Sequence, residues 1–252
     1  IERGQMELIQ PDFWQCDTSV ANNSWCYTVN NEYKKPQDII CDLVDIVSKN
    51  GALLLNIGPK ADGSIPEEDR HILIEIGRWL AQNGEGIYGT CPFKQFGEGP
   101  TKVKGGYFSD TERSAFTSED FRFTYKDGFL YVFVMKRPEN KTVRIQSLGR
   151  RDPIFNALVE RIEVLENHSF ASFSQTEEAL EVSFECEKSP VSALPEGFLY
   201  LSIILAVDFC FISCYTGNRC KTHQNQGLKG LPGGHRRKMC RVFETFQLVK
   251  QN

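Results

Sequence analysis

Residues 51–66 read GALLLNIGPKADGSIP, and this stretch decides the fold of the first part of the chain. Its first half, residues 52–57, is short, apolar on both faces and bounded by glycines, which predicts a strand buried on both sides as in a parallel sheet. Its second half collects the glycine, proline, asparagine and aspartate residues that turns require. An apolar strand therefore runs directly into a loop whose residues are those of tight turns.

A helix is predicted on each side of this strand. Over residues 36–49, apolar side chains recur at helical spacing after Pro36, which suits a first turn. After Pro66, three acidic residues open a second helix where the helix dipole favours negative charge. A helix–strand–helix order is a unit of an α/β fold, in which ligands gather at the carboxyl ends of strands. The loop at residues 56–65 either faces such a ligand or only turns the chain.

The pattern changes after residues 90–105, a segment rich in glycine, proline and lysine. Residues 120–137 alternate apolar and polar side chains around Asp127-Gly128, a strong hairpin signal. Further short alternating segments follow at residues 142–149, 159–166 and 179–185. This regular spacing predicts an all-β sandwich, so the fold class is α/β followed by all-β.

The composition changes again, and abruptly, from about Lys188. Residues 198–214 form an apolar run that is interrupted by Asp208 and is shorter than the roughly 20 residues of a membrane helix. The sequence after this run has no periodicity. We hypothesise that residues 188–252 are an aberrant or disordered tail produced by intron read-through or an altered reading frame, which tail peptides in the native protein would refute. A membrane anchor is the weaker alternative.

The overall composition excludes several classes of function. The chain has 252 residues and a net charge of −4, which gives no reason to expect nucleic acid as a partner. It has nine cysteines but no CxxC pair, so no metal site is predicted. Three N-glycosylation sequons permit a secretory or lysosomal location; they begin at Asn22, Asn140 and Asn167. We assign no catalytic role to the histidines, which are His71, His168, His223 and His235.

Several motifs together resemble one family, the α-L-fucosidases of glycoside hydrolase family 29. The motifs occur in the family's order and are ERGQ (2–5), FWQCDTSVANNSWCY (13–27), LVDIVSKNGALLLNIGPKADGSIP (43–66) and GRWLAQNGEGIYGT (77–90). The resemblance covers roughly residues 1–185. It implies that residues 1–95 are the C-terminal part of a catalytic (β/α)8-like barrel, most of which lies upstream of Ile1. It also implies that residues 96–187 form a C-terminal β-sandwich, with the tail at 188–252 outside it.

The resemblance implies retaining hydrolysis, in which one carboxylate attacks the sugar and a second acts as acid and then base. No segment of the chain resembles the family's nucleophile motif, so we assign no nucleophile. Many relatives carry glutamate where this chain has Gln15, and an amide cannot donate and recover a proton. Glu2, in the ERG motif near the end of a barrel strand, is the candidate acid/base that the resemblance implies, with a salt-bridged structural role as its alternative.

The resemblance also implies three substrate-binding residues. Arg3 is similar to the family's arginine that hydrogen-bonds fucose, and its planar guanidinium suits neighbouring hydroxyls. Trp14 and Trp25 resemble aromatic walls against which sugar C–H groups pack. An ordinary surface arginine and two core tryptophans are the alternatives. Relatives have glycine at the position of Cys26, which adds bulk beside the expected wall.

These expectations combine into one functional hypothesis. The chain is part of an α-L-fucosidase that releases terminal fucose from glycoconjugates, and its partner is a fucosylated glycan. Two carboxylates suffice for this chemistry, so no cofactor is expected. The resemblance implies a secreted or lysosomal protein, and the sequence does not indicate an oligomeric state. The alternative is a non-catalytic carbohydrate-binding or pseudoenzyme fragment. Because an open partial barrel exposes strand edges and apolar helix faces, the chain itself is expected to be unstable and inactive.

Overall fold

The computed structural model describes residues 1–110, 114–184 and 202–208. Two short 3-10 turns occur at Gly84–Gly86 and Gln146–Leu148. The helices and strands in chain order are Trp14–Ser19 (β1), Pro36–Ser48 (α1), Gly51–Asn56 (β2), Glu67–Asn83 (α2), Cys91–Glu98 (β3), Phe121–Lys126 (β4), Phe129–Val134 (β5), Thr142–Ile145 (β6), Leu158–Val164 (β7), Ser169–Phe170 (β8), Ser172–Gln175 (β9), Leu180–Ser183 (β10) and Ser202–Asp208 (β11).

The first part of the fold is a small parallel arrangement. β1 and β2 pair in parallel over their whole length. Residues 1–3 run beside β1 in the same direction, because Glu2 forms a parallel bridge with Asp17 and the Arg3 amide donates to the Asp17 carbonyl at 2.8 Å. Three parallel segments therefore end at a common edge, as the helix–strand–helix pattern predicts.

The helices cover one face of this parallel pair. α1 begins at Pro36 and α2 directly follows Pro66, which confirms both predicted helix starts. On β2, Leu53 and Leu55 pack against the apolar cluster of the helices, whereas Leu54 on the opposite face is 45% exposed. The prediction that β2 is buried on both faces is therefore wrong for the described residues. Among them β2 pairs only with β1, so its other edge is unpaired.

The second part consists of two antiparallel sheets packed face to face. A six-stranded sheet has the order β3-β4-β5-β11-β7-β8, and a three-stranded sheet has the order β6-β10-β9. Leu130, Val132 and Val134 of β5 belong to the apolar cluster between the two sheets. Asp127 and Gly128 both have positive φ, at 50° and 93°, as a two-residue hairpin turn of type I′ requires. The predicted hairpin is confirmed.

The other face of the six-stranded sheet packs against the helices. Tyr131 and Phe133 alternate with the sandwich-facing residues of β5 and join the apolar cluster of α1 and α2. On β4, Arg122 is also buried here, and its Nε donates to the Asp45 Oδ1 of α1 at 2.5 Å. Asp45 Oδ2 accepts a second hydrogen bond from Lys49 at 2.7 Å. Arg122 of β4 thus faces a helix rather than solvent. The six-stranded sheet packs against the helices on one face and the three-stranded sheet on the other.

Two of the predicted domain boundaries differ from the described structure. β3 begins at Cys91, so the predicted boundary between residues 95 and 96 falls inside a strand. β11 lies between β5 and β7 in the six-stranded sheet, although it belongs to the segment 188–252 that was predicted to lie outside the fold. Both sides of β11 are buried there, because Ile204 joins the apolar cluster of the helices and Leu205 joins the cluster between the two sheets. The remainder of the predicted tail, with its intron and membrane-anchor hypotheses, lies outside the described residues.

Candidate functional site

The candidate site lies where residues 1–3, β1 and β2 end together. We call this region the carboxyl edge and define it by Arg3, the loop at residues 21–27 that follows β1, and the loop at residues 56–60 that follows β2. Ligands of parallel α/β folds bind at this position because polar loop groups converge there above a rigid sheet. In the described ranges, no group of three or more histidine, cysteine, aspartate or glutamate residues is placed to hold a metal ion.

Asn56, the asparagine of the sequence LLLNIGP, ties the two loops together. Its Nδ2 donates to the Trp25 carbonyl at 2.7 Å and lies 3.4 Å from the Ser19 Oγ. Asn56 is paired with Ser19 in the parallel ladder, so its side chain emerges at the carboxyl edge. The amide therefore fixes the height of the Trp25 backbone above the sheet.

Gly58 shows why the loop after β2 needs glycine. A Cβ added there would lie 2.7 Å from the Tyr27 nitrogen and 2.9 Å from the Cys26 carbonyl carbon. The Gly58 amide donates to the Asp69 Oδ2 of α2 at 3.0 Å, which holds the loop against the helix. The second half of the opening stretch therefore supports the loop that carries Trp25.

Arg3 contacts this same loop from the other side. It is 7% exposed, and its guanidinium donates to the backbone carbonyls of Ala21 at 2.9 Å, Asn22 at 2.8 Å and Ser24 at 3.4 Å. Its Cζ lies 4.8 Å from the centroid of the Trp25 ring, a cation–π distance. Arg3 thus holds the loop and the indole in place. The structure therefore brings Arg3 and Trp25 into contact.

Two further ionisable groups adjoin Arg3, and sequence reasoning missed both. Lys34 Nζ donates to Asp110 Oδ2 at 2.5 Å and to the Thr18 Oγ1 at 2.7 Å. The Thr18 hydroxyl in turn donates to Asp110 at 2.8 Å, and Arg3 Nη1 lies 3.7 Å from the same carboxylate. One buried carboxylate therefore faces two buried cations. Asp110 lies far from the recognisable motifs, so no sequence signal identified it.

Glu2 lies on the face of the sheet that the helices do not cover. In the parallel bridge, Glu2 and Asp17 occupy facing positions, and paired residues point to the same side of a sheet. Asp17 alternates with Thr18, which points to the helix side, and Gln15 shares the open face and is exposed. The structure therefore places a second carboxylate, Asp17, beside the predicted acid/base. Sequence reasoning missed Asp17 as well.

Trp14 lies at the other end of the strand pair. It begins β1 opposite Gly51, and its Nε1 donates to the Lys49 carbonyl at the end of α1 at 3.0 Å. A Cβ added to Gly51 would lie 2.5 Å from the indole, so the ring covers that glycine. The structure does not bring Trp14 together with Arg3 and Trp25. The contacts of Trp14 are those of a tryptophan that packs within the fold, which is the alternative to a sugar wall.

The thiols near the site differ in their chemistry. Cys16 of β1 is buried, and this burial raises the pKa of its thiol from 9.0 to about 11. Cys26 is exposed beside Trp25, and both thiols are free. The buried Cys16 thiol is therefore protonated at neutral pH, while Cys26 is open to solvent at the carboxyl edge.

Comparisons with known proteins match this region to one family. Residues 1–85 match the family model described as Alpha-L-fucosidase. The human tissue alpha-L-fucosidase is 30% identical over 138 residues, which cover 53% of this chain and 26% of the human protein. An alpha-L-fucosidase of Dictyostelium discoideum is 41% identical over 68 residues, covering 27% of this chain and 15% of that protein.

Solved structures agree with respect to the fold. The Thermotoga maritima alpha-fucosidase, crystallised in complex with fucose, superposes with a TM-score of 0.59 at 24% identity. The superposition covers 80% of this chain and 41% of the bacterial chain. The chain thus spans about a quarter of the length of the human relative that it matches.

Proposed function

We propose, from the premise that residues 1–85 carry the sequence of the alpha-L-fucosidase family, that this chain is part of a retaining glycosidase that releases terminal alpha-L-fucose. The observation that carries the proposal is that the matched residues build the carboxyl edge. Arg3, Trp25 and Asn56 converge there, and all three lie inside the matched range. The proposed partner is a fucosylated glycan.

The finer architecture follows from the same proposal. Residues 1–3, β1 and β2 are consecutive strands of a (β/α)8-like barrel, and α1 and α2 are two of its outer helices. Inward-facing residues of such a barrel surround its axis, and its active site lies at the carboxyl ends of the strands. The open face that holds Glu2, Gln15 and Asp17 is then the barrel interior. The two antiparallel sheets are the C-terminal sandwich.

The proposed chemistry needs two carboxylates about 5–5.5 Å apart, of which one is protonated at the working pH. Glu2 is our candidate acid/base, and Asp17 faces it across the parallel bridge, so two carboxylates stand on neighbouring segments of the open face. Trp25 is the proposed wall for the C6 methyl group of fucose. Arg3 holds that wall, and Trp14 is given no substrate contact.

A secreted or lysosomal location is proposed on the names of relatives, which include tissue and plasma alpha-L-fucosidases. The sequons at Asn22, Asn140 and Asn167 all begin with an exposed asparagine, so glycans at these positions would not disturb the core. Intact mass before and after enzymatic deglycosylation tests this proposal.

Hydrolysis of p-nitrophenyl alpha-L-fucoside tests the function. We expect the native protein that contains this sequence to release p-nitrophenol, and Glu2→Gln to lower kcat by about 100-fold or more, as is typical for loss of an acid/base. Azide should partly restore the Glu2→Gln rate on this activated substrate, since an external nucleophile replaces the base step. If Asp17→Asn instead gives this azide rescue, the acid/base assignment moves to Asp17.

The alternative function, carbohydrate binding without hydrolysis, has a different outcome. In that case the native protein binds fucose but releases no p-nitrophenol at any pH. The 252-residue chain alone is expected to be inactive, so the assay compares it with the native protein.

A further inference from the structure

The segment at residues 105–110 leaves the sandwich and returns to the carboxyl edge. It follows β3 in sequence, yet three of its amides donate to the backbone carbonyls of the ERGQ motif. Gly106 donates to Gln5, Phe108 to Glu2 and Asp110 to Arg3, each at 3.0 Å. Because these hydrogen bonds join one short segment to another, residues 105–110 act as a strap across residues 2–5.

We propose that the strap, through Asp110, is a positioning element of the candidate sugar site, so that the site is built from both parts of the chain. This inference rests on the proposed function in one respect: it takes the Trp25 loop as the sugar wall. Asp110 acts on that wall through Arg3, whose guanidinium holds the loop by three carbonyls and the indole by its face.

Asp110 balances the charges of two buried cations, Arg3 and Lys34. The side chains of Arg3, Lys34 and Asp110 are 9%, 5% and 5% exposed, so water screens their interaction little. Asp110 Oδ2 lies 2.5 Å from Lys34 Nζ and 3.7 Å from Arg3 Nη1. Without this carboxylate, the two buried cations would lose their shared counter-charge. Removing one partner of such a group is strongly destabilising locally, because an uncompensated buried charge remains.

Arg3 is the cation that can respond to such repulsion. Its φ of 46° lies in the left-handed region, which a non-glycine residue adopts only when its surroundings hold it there. The Asp110 amide, which donates to the Arg3 carbonyl, is part of that support. We therefore expect loss of the Asp110 charge to move the guanidinium and to loosen the Trp25 loop, while the strands below stay paired.

The chain offers a site-specific spectroscopic readout. It has three tryptophans, Trp14, Trp25 and Trp79, so 5-fluorotryptophan labelling gives three fluorine resonances, and Trp25→Phe assigns the relevant one. In Asp110→Asn we expect the Trp25 resonance to shift and to broaden about twofold or more, because the loop samples further positions on a slower timescale. The Trp14 and Trp79 resonances should keep their shifts and line widths, which excludes a general loss of structure.

A matched control is the carboxylate of Asp120. It is fully buried, and accepts hydrogen bonds from the backbone and hydroxyl groups of Thr101 and Thr117, neither of which belongs to the carboxyl edge. Asp120→Asn should lower stability and leave the Trp25 resonance in place. Equal Trp25 responses in the two variants would overturn the proposal.

A double variant tests the charge argument itself. Asp110→Asn combined with Lys34→Met removes the carboxylate together with one of its two cations, so the Trp25 line should return toward that of the wild type. This test also stands alone if Asp110→Asn does not fold. A folded double variant with a broadened Trp25 line would contradict charge balance as the role of Asp110.

Addition of fucose separates this inference from the proposed function. If Trp25 lines a sugar site, fucose shifts its resonance, and Asp110→Asn weakens fucose binding by roughly tenfold because the wall is misplaced. If fucose shifts no resonance of the wild-type chain while Asp110→Asn still broadens Trp25, the positioning role stands and the sugar site in this chain is refuted. An unchanged Trp25 line in folded Asp110→Asn refutes the positioning role.

Discussion

At Gly58 the backbone of one loop passes so close to another that a methyl group has no room. Gly58→Ala should lower the free energy of unfolding by about 1–3 kcal/mol, since the added Cβ meets backbone atoms that cannot rotate away. Gly77→Ala is the matched control. Gly77 lies within α2 with open space around it, and the same change should stabilise the chain by about 0.5–1 kcal/mol.

Urea unfolding of the two variants measures both effects. The fluorine resonance of Trp25 should respond to Gly58→Ala and not to Gly77→Ala, because only Gly58 touches the loop that carries Trp25. Wild-type stability of the Gly58→Ala variant would mean that the close approach of the two loops is not required.

Burial of Cys16 gives a pH dependence of stability with a definite sign. The folded state raises the thiol pKa from 9.0 to about 11, so it holds the proton more tightly than the unfolded state. The resulting stability is fully present below pH 9.0 and is lost as the pH rises toward about 11. Within that window this thiol should lower the free energy of unfolding by about 1.4 kcal/mol per pH unit.

Comparison with Cys16→Ala isolates this contribution, because lysines and tyrosines titrate in the same range. Wild type should lose more stability than the variant does as the pH rises from 9.0 to about 11. Parallel pH dependences of the two proteins would show that Cys16 is not buried as described. Cys26 is an internal control for access, since it is exposed and should react with iodoacetamide long before Cys16.

Among the strands, β11 is the one whose place in the sandwich the sequence did not predict. Leu205 is fully buried between the two sheets, so Leu205→Ala should cost about 2–5 kcal/mol of stability. Leu158→Ala on the adjacent β7 is the matched control. Leu158 is 60% exposed, and its truncation should change stability by no more than about 0.5 kcal/mol.

Thermal unfolding of both variants decides whether β11 belongs to the folded sheet. Equal, small effects would restore the boundary at residue 187 that the sequence predicts. A large effect at Leu205 alone would extend the sandwich to Asp208 and give the apolar run a structural reason.

The predicted and observed elements differ according to the range of the interactions that form them. The helices after Pro36 and Pro66, and the hairpin at Asp127-Gly128, depend on signals within a few residues, and all were predictable. β11 was not, because an isolated apolar run does not say which strands flank it. Its place depends on β5 and β7, which lie far away in the sequence.

The residues of the candidate site also separate into those that local motifs predict and those that depend on long-range contacts. Arg3 and Trp25 came from motif resemblance, and the structure brings them together. Asp110 and Lys34 meet through a strap whose path no local pattern specifies. The motif around Trp14 suggested a wall, but strand register places that side chain at the opposite end of β1. Face and register, which set where a side chain points, could not be read from spacing alone.

At the scale of the whole molecule, the described residues leave a large leucine exposed on the open face of the parallel strands. Leu54 points to that face and is 45% exposed, and β2 has one unpaired edge among them. Exposed strand edges with apolar neighbours favour association between chains. We therefore expect the 252-residue chain to self-associate, with light scattering that rises steeply with protein concentration.

Leu54→Lys should reduce this scattering without loss of stability, because a charge on an open strand face opposes edge pairing. Leu53→Lys is the control on the same strand. Leu53 packs against the helix cluster, so a charge there should destabilise the chain and increase scattering. A monomeric wild-type chain at all concentrations would show that some other part of the chain covers this face.

The position of β11 also has a consequence for how the protein is made. The ribosome releases β5 and β7 well before β11, yet β11 lies between them in the finished sheet. During synthesis, each of these strands offers its free edge to the other, and a nascent chain that pairs them directly must undo that pairing later. Late, long-range strand pairing is slow and exposes the chain to aggregation. The nascent chain is therefore expected to need a chaperone until residue 208 has left the exit tunnel.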